Sequence, residues 1–174
     1  MTIPTLQTAR LSLRPWSPSD GDRLFTILQE EDILRYFPRT TPPARDKVDK
    51  YIAHHLTHWQ ERGYGHWAVV YKQTSQIIGW CGLEFLPETE ETEVAYLLSR
   101  DFWGRGLATD AARSAVEFGF QVASLERIIG LAHPGNIASQ RVLEKCGLQF
   151  VDRKGYFGIE LFRYWIDKPP SQVG

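Results

Sequence analysis

The first sixty residues pass from an alternating pattern of apolar and polar positions to a helical pattern. RLSLRPW (10–16) alternates leucines with polar residues, which predicts a half-buried strand. A helix is predicted to begin at Ser17, which can act as its N-cap. After an irregular connection (30–43), apolar residues recur three and four positions apart over 44–62. This spacing predicts an amphipathic helix, which Gly63 would end.

The centre of the chain changes to short apolar runs with polar turns between them. HWAVVYK (66–72) and IIGWCGLEFL (77–86) flank the polar turn QTSQ, which predicts a β-hairpin, and TEVAYLLS (92–99) predicts a third strand. Good helix formers over 107–123 predict a helix. The continuous apolar character of RIIGLAH (127–133) is typical of a strand that is buried on both faces.

One helix and two strands complete the chain. The helix (136–147) would be capped by Asn136 and ended by Gly147. The tail (148–166) predicts two more strands joined by a turn. The order of these elements predicts a single mixed-sheet α/β domain over residues 1–174. Its sheet would be mostly antiparallel, with about six or seven strands and about four flanking helices.

The composition of the 174-residue chain narrows the classes of protein to consider. Its hydrophobic content of 43% and charged content of 24% are typical of a globular protein, and a formal net charge of −1 gives no basic footprint for nucleic acid. No stretch resembles a signal peptide or a span of ~20 apolar residues, so we expect a cytoplasmic protein with no membrane partner. Cys81 and Cys146 are expected to be buried thiols. Composition does not distinguish a monomer from a homodimer.

The stretch RDFWGRGLATDA (100–111) places two glycines between a predicted strand and a predicted helix. Amides at a helix N-terminus lack internal partners and lie at the positive end of the helix dipole, so such a turn suits a phosphate group. A nucleotide P-loop is excluded, because no Gly-Lys-Ser/Thr string follows Gly104. A dinucleotide fingerprint fits poorly, because Thr109 stands where its third Gly or Ala belongs. A plain tight turn is an open alternative.

Two motifs carry a family resemblance. EVAYLLSRDFWGRGLATDA, followed further along the chain by HPGNIASQRVLEKCGLQFV, resembles the GNAT acyltransferase superfamily and in particular its RimJ/RimL-like branch. The opening LQTARLSLRPW is similar to the first strand of that branch, so the resemblance covers essentially the whole chain. It implies a GNAT-like fold with one splayed pair of parallel strands, and acetyl-CoA as the cosubstrate.

The resemblance also implies where acetyl-CoA would bind. The strand 92–98 would carry a bulge and splay from the strand 127–133, and the pantetheine arm would pair with backbone groups near Leu97 and Leu98. Asn136 would bond to the pantetheine, unless it serves only as a helix cap. The pyrophosphate would be bound by backbone amides of the glycine turn, which comprises Trp103, Gly104, Arg105, Gly106, Leu107, Ala108 and Thr109.

Direct acetyl transfer needs a neutral amine, a polarised thioester and a proton for the departing thiolate. The resemblance places Glu93 as the base, acting directly or through water, although its acidic neighbours also fit a solvated surface. Glu84 is a second candidate for binding or deprotonating the amine, with exposed charge as the alternative. Much of the superfamily has a proton-donating tyrosine where this chain has Leu143. In the RimJ/RimL-like branch Ser139 would face the sulfur instead.

No motif specifies the amine acceptor. Phe37 and Trp80 are candidate lining residues of an acceptor pocket, together with Glu84. The resemblance favours a protein or peptide N-terminal α-amine. A polyamine, amino acid or aminoglycoside acceptor and a non-catalytic CoA-binding sensor are the alternatives. His54 and His58 have the i, i+4 spacing of a metal-binding pair, but no third ligand is evident, so no metal is expected.

Overall fold

Eight strands and four α-helices make up the part of the chain that the structure describes, residues 2–170 of a computed structural model. In chain order they are β1 (Leu6–Gln7), β2 (Leu11–Arg14), α1 (Gly21–Leu28), α2 (Arg45–Arg62), β3 (His66–Tyr71), β4 (Gln76–Leu86), β5 (Glu91–Leu98), α3 (Leu107–Gln121), β6 (Arg127–Ala132), α4 (Ile137–Lys145), β7 (Gln149–Tyr156) and β8 (Ile159–Asp167). Short 3₁₀ turns precede α1, at Pro18–Asp20, and follow β5, at Arg100–Phe102.

The eight strands form one sheet in the order β1-β2-β3-β4-β5-β6-β8-β7. Every neighbouring pair is antiparallel except β5 and β6, which run parallel. The predicted mixed α/β fold, with a mostly antiparallel sheet and four helices, is therefore confirmed. The strand that the pattern did not predict is β1, which pairs Leu6 with Leu13 of β2. It is two residues long and therefore too short to show a period.

Two clusters of buried apolar side chains lie on opposite faces of the sheet. Along β5, Val94 and Leu98 pack into the cluster that contains α3, whereas Leu97 packs into the cluster of α1 and α2. Successive side chains of a strand point to opposite faces. Glu93 therefore shares the α1–α2 face with Leu97, and Tyr96 lies on the face of α3 and α4.

The helix boundaries follow local signals in the sequence. Ser17 caps the turn before α1 by accepting a backbone hydrogen bond. Gly63 ends α2 in the left-handed conformation, with φ of 76°. Asn136 caps α4 with its side-chain oxygen, which accepts from the amide of Ser139 at 3.2 Å. These three predicted boundary residues are confirmed, because each depends only on its own few neighbours.

The bulge predicted in the strand 92–98 is absent from the described structure. β4 and β5 pair without a register shift along the whole of β5. The shift lies instead between β3 and β4, at Val69 and Val70. Next to it, a Cβ on Gly79 would lie 1.9 Å from the carbonyl oxygen of Leu97, so glycine is what allows β4 to approach β5 closely there. The register shift therefore lies on the edge of β4 that pairs with β3, and not on the edge that pairs with β5.

Candidate active site

Strands β5 and β6 separate almost as soon as they meet. They pair at a single position, where Glu93 stands opposite Ile129, although β5 continues to Leu98 and β6 to Ala132. Beyond that pair, the described chain has no hydrogen-bond ladder between the two facing edges. Backbone groups on these edges need another partner, and an extended ligand with its own amide groups can supply one.

The groups that face this opening belong to alternate residues of β5. Ser99 donates its amide to a β4 carbonyl at 2.7 Å. Because the hydrogen-bonding direction alternates along an antiparallel strand, the backbone of Leu97 also faces β4. The β5 amides that face the opening are therefore those of Tyr96 and Leu98, on either side of the predicted contact residue Leu97. The carbonyl of Leu98 already accepts from the indole of Trp103 at 2.7 Å.

The glycine turn continues into a row of free backbone amides. Gly104 and Gly106 have φ of 71° and 75°, in the left-handed region that favours glycine. Helix α3 begins directly after Gly106 and has no side-chain cap. From residue 104 to 109, no backbone N–H has a protein acceptor within the described chain. This amide row (104–109) lies at the positive end of the α3 dipole and suits an anion such as a pyrophosphate.

Arg10, in the turn between β1 and β2, supports this loop from the other side. Its guanidinium donates to the carbonyl of Arg105 at 2.7 Å and to the carboxylate of Asp110 at 2.8 and 3.0 Å. The contact fixes the loop carbonyl and balances the negative charge in the first turn of α3. Sequence reasoning missed Arg10, because its partners lie 95 and 100 positions away in the chain.

The first turn of α4 brings Ser139 to the phenol of Tyr96. Their hydroxyl oxygens lie 2.9 Å apart, and Tyr96 Oη is also 3.1 Å from the carbonyl oxygen of Ser139. Burial raises the pKa of Tyr96 well above its usual value, so the phenol stays protonated and can donate a hydrogen bond. Sequence reasoning missed this pair, since a single aromatic residue in a strand indicates only the core.

Leu143 lies in the core. Only 1% of its surface is exposed, and it packs so closely on β6 that a Cβ on Gly130 would lie 2.4 Å from its Cδ2. Position 143 therefore cannot present a proton donor in this packing. The phenol near Ser139 comes from Tyr96 on the sheet instead of from α4.

Two carboxylates stand opposite each other on adjacent strands. Glu84 of β4 pairs in register with Glu93 of β5, so both side chains lie on the α1–α2 face. Burial, and secondarily the charge of Glu84, raise the pKa of Glu93 to about 8. Glu93 is therefore mostly protonated at neutral pH and becomes a base as the pH rises through about 8.

Phe37 and Trp80, both predicted to line an acceptor pocket, contact each other edge to face, with ring centroids 6.2 Å apart. Trp80 lies on β4, on the same face as Glu84. Phe37 lies in the connection 30–43 before α2. Glu30 anchors this connection at the end of β5, where its carboxylate accepts from the hydroxyl of Ser99 at 2.7 Å. The structure thus brings three predicted acceptor-side residues to one face of the sheet.

His54 and His58 do not converge on one site, despite their helical spacing. The amide of Phe85 donates to Nε2 of His58 at 3.2 Å, so Nδ1 of His58 carries the proton and donates to the carbonyl of Tyr64 at 2.7 Å. Both nitrogens of this buried ring are therefore used in the fold. His54 is exposed instead, with Nε2 3.3 Å from Oε1 of Glu84.

Both cysteines are buried, as predicted. Cys81 is 0% exposed and Cys146 is 8% exposed. Burial raises the pKa of both thiols, that of Cys146 to about 11. Neither is a thiolate at neutral pH, and a protonated thiol is a poor nucleophile.

Comparison with known proteins shows the class to which these features belong. The acetyltransferase (GNAT) domain family matches residues 10–149. YkkB of Bacillus subtilis is 32% identical over 155 residues, which cover 83% of this chain and 85% of YkkB. FsC-acetyl coenzyme A-N(2)-transacetylase of Aspergillus fumigatus is 29% identical over 187 residues, which cover 99% of this chain and 74% of that protein. The structure of RimL, a ribosomal L7/L12 α-N-protein acetyltransferase in complex with coenzyme A, aligns with a TM-score of 0.78 and 14% identity over 96% of this chain and 98% of RimL.

The chain therefore belongs to the GNAT acetyltransferase family and is an acetyl-CoA-dependent acetyltransferase. The predicted family is confirmed, and RimL shares its fold. Within residues 2–170, the helices are all too short or too polar to cross a membrane.

Proposed function

We propose that this chain transfers the acetyl group of acetyl-CoA directly to a primary amine, with a protein or peptide N-terminal α-amine as the first candidate. The observation that carries this proposal is the opening between β5 and β6, which runs from Glu93 to the amide row (104–109). The amide row would bind the pyrophosphate. The free amides of Tyr96 and Leu98 would pair with the pantetheine arm, and the bound thioester would supply the activated acetyl group.

Glu93 would accept the proton of the amine, and Ser139 would stabilise the negative charge of the departing thiolate. As the amine nitrogen bonds to the acetyl carbon, its proton passes to the carboxylate of Glu93, directly or through water. As the carbon–sulfur bond breaks, the hydroxyl of Ser139 donates a hydrogen bond to the thiolate. Tyr96 donates to the carbonyl oxygen of Ser139, and its own oxygen lies 2.9 Å from Ser139 Oγ, so the phenol would hold the serine hydroxyl in position. The proton on Glu93 then reaches the thiolate through solvent, which restores the Glu93 carboxylate and leaves CoA as the free thiol.

The pKa of Glu93 supports an α-amine over a lysine side chain as acceptor. An α-amine titrates near about 7.7–8.0 and lysine near about 10.4. A base with a pKa of about 8 matches the first group. Deprotonating a lysine ammonium would instead be uphill by about 3 kcal/mol.

The names of two similar proteins support two acceptor classes. RimL is named as an α-N-protein acetyltransferase, which agrees with an N-terminal acceptor. The Aspergillus fumigatus protein is named as an N(2)-transacetylase of FsC, and its identity to this chain is higher. A small-molecule amine is therefore the second candidate acceptor.

A binding assay and an acceptor screen test the proposal. Acetyl-CoA should raise the melting temperature of the purified chain, and free thiol should be released with at least one of a set of N-terminal peptides, polyamines, amino acids and aminoglycosides. Peptides with free N-termini should react faster than the same peptides blocked there but carrying a lysine. Binding of acetyl-CoA without turnover on any acceptor, and without any effect of Ser139→Ala, would indicate a sensor. No rise in melting temperature would contradict both functions.

A further inference from the structure

A group of imidazoles surrounds Glu84 on the side away from Glu93. One ring nitrogen of His54, one ring nitrogen of His55 and one carboxylate oxygen of Glu84 all lie within 4.8 Å of one another. The two histidines are neighbours on α2, and Glu84 lies on β4. Packing of α2 against the sheet assembles this histidine–glutamate cluster, which has no recognisable spacing in the sequence.

One pair in the cluster has the separation expected for two ligands of one metal ion. Nε2 of His54 and Oε1 of Glu84 are 3.3 Å apart, slightly longer than the about 2.7–3.2 Å of a good N–H···O hydrogen bond. Two atoms held at about 2.0–2.1 Å from a tetrahedral ion lie about 3.3 Å from each other. Imidazole nitrogen and carboxylate oxygen are also donors that zinc accepts.

Buried ring nitrogens at the cluster lack hydrogen-bond partners. His55 and His66 are each 2% exposed, and among residues 2–170 neither Nδ1 of His55 nor Nε2 of His66 has a partner. The two rings stack with centroids 3.8 Å apart, and Nε2 of His66 lies 3.8 Å from the second carboxylate oxygen of Glu84. A buried polar atom without a partner costs about 1–3 kcal/mol. An ion bound by His54, His55 and Glu84 would give a ring nitrogen of His55 a partner.

One hydrogen bond beside the cluster can set the tautomer of His66. Nδ1 of His66 lies 2.8 Å from the hydroxyl oxygen of Tyr51, which can accept a hydrogen bond from Nδ1–H; Nε2, which faces Glu84, then carries the lone pair.

We propose that His54, His55 and Glu84 form a binding site for one divalent transition-metal ion of the zinc class, with a fourth position open to water. His66 would not bind the ion, and its Nε2 would face the second carboxylate oxygen of Glu84. An ion there would occupy the carboxylate that is a candidate for binding the acceptor amine, so it would inhibit acetyl transfer in competition with the acceptor. This second part depends on the proposed acetyltransferase function, whereas binding of the ion does not.

The test of binding uses the untagged chain after removal of metal, titrated with Zn²⁺ by calorimetry and with Co²⁺ by visible absorption. We expect one ion per chain and the absorption bands of tetrahedral Co²⁺. His54→Ala and Glu84→Gln should each weaken binding by at least about tenfold. His54 is exposed, so its replacement leaves the core intact. His133→Ala, outside the cluster, should bind as the wild type does. Absence of saturable binding, or unchanged affinity in both cluster variants, would overturn the proposal.

The test of inhibition varies the acceptor at fixed Zn²⁺. Zn²⁺ should raise the KM for the acceptor and leave the KM for acetyl-CoA unchanged, and His54→Ala should reduce this effect at least about tenfold. A chain that binds the ion but never turns over acetyl-CoA would refute the proposed function and leave the metal site standing. A chain that turns over acetyl-CoA and does not bind the ion would refute the metal site alone.

Discussion

The two halves of the site are built from different parts of the chain. In the proposed site, the cofactor half consists of backbone groups: the amide row (104–109) and the open edge of β5. The acceptor half consists of side chains, which come from three separate segments. These side chains are Phe37, Trp80, Glu84 and Glu93. Backbone amides are the same at every residue, so the cofactor half depends on where the chain turns and where two strands part.

This difference predicts two kinds of variant. A substitution in the cofactor half should act through chain conformation and affect transfer to every acceptor equally. A substitution in the acceptor half should change the rate, its pH dependence or the choice of acceptor, while the affinity for acetyl-CoA stays the same. A variant that affects both properties would show that the two halves are not separable.

The largest effect is expected for Gly106→Val. Valine disfavours the left-handed φ of 75° at this position, so the loop should rearrange. Loss of three amide contacts of about 1.5 kcal/mol or more each would weaken acetyl-CoA binding by more than about a thousandfold. Calorimetry with acetyl-CoA measures this change. Gly158→Val is a matched control, because Gly158 has φ of 80° and open space around it in the β7–β8 turn. Equal loss of acetyl-CoA binding in the control would refute a specific role for the amide row (104–109).

Glu93→Gln should lower kcat by about a thousandfold, because glutamine cannot accept the proton of the amine. The affinity for acetyl-CoA should stay the same, since no part of the amide row changes. Steady-state kinetics and calorimetry measure the two quantities on the same preparation. Glu88→Gln, in the exposed turn between β4 and β5, is the control for removing one acidic charge from this region. Near-normal kcat in Glu93→Gln would exclude this residue as the base.

Ser139→Ala should lower kcat by about a hundredfold, as expected for removal of one donor to a developing anion. Tyr96→Phe should cost about tenfold, the value of one hydrogen bond that orients the serine. In the double variant the tyrosine effect should disappear, because Tyr96 acts through Ser139. Single-turnover rates of all four proteins measure this coupling. Additive effects would instead assign Tyr96 a separate role in packing.

The smallest effect is expected for Glu84→Gln, and it lies in the pH profile. Glu84 is the charge that raises the pKa of Glu93 beyond the effect of burial. Its removal should lower that pKa, so the rising limb of kcat against pH should move from about 8 to lower pH, by up to about one unit. The same acceptor is used with both enzymes, so its own ionisation cancels. A shift to higher pH, or no shift, would contradict the interaction between the two carboxylates.

Prediction from the sequence succeeded where a feature depends on neighbouring residues. The caps at Ser17, Gly63 and Asn136 follow from single turns of chain, and each was located correctly. The bulge in β5 was predicted wrongly, because the close approach at Gly79 depends on which strand lies beside it. The facing direction of Leu97 likewise depends on the hydrogen-bond register with β4, which no side-chain pattern records.

The sequence by itself determined the mixed sheet and the glycine turn, because those rest on local patterns of side-chain size and backbone freedom, and it determined the family through the resemblance of two motifs. Only the tertiary structure decided that Tyr96 meets Ser139, that Arg10 supports the amide row, and that Glu84 stands between Glu93 and a set of histidines. These contacts join residues far apart in the chain. Their chemistry, including the raised pKa of Glu93, arises from burial and proximity that exist only after the sheet and helices have packed.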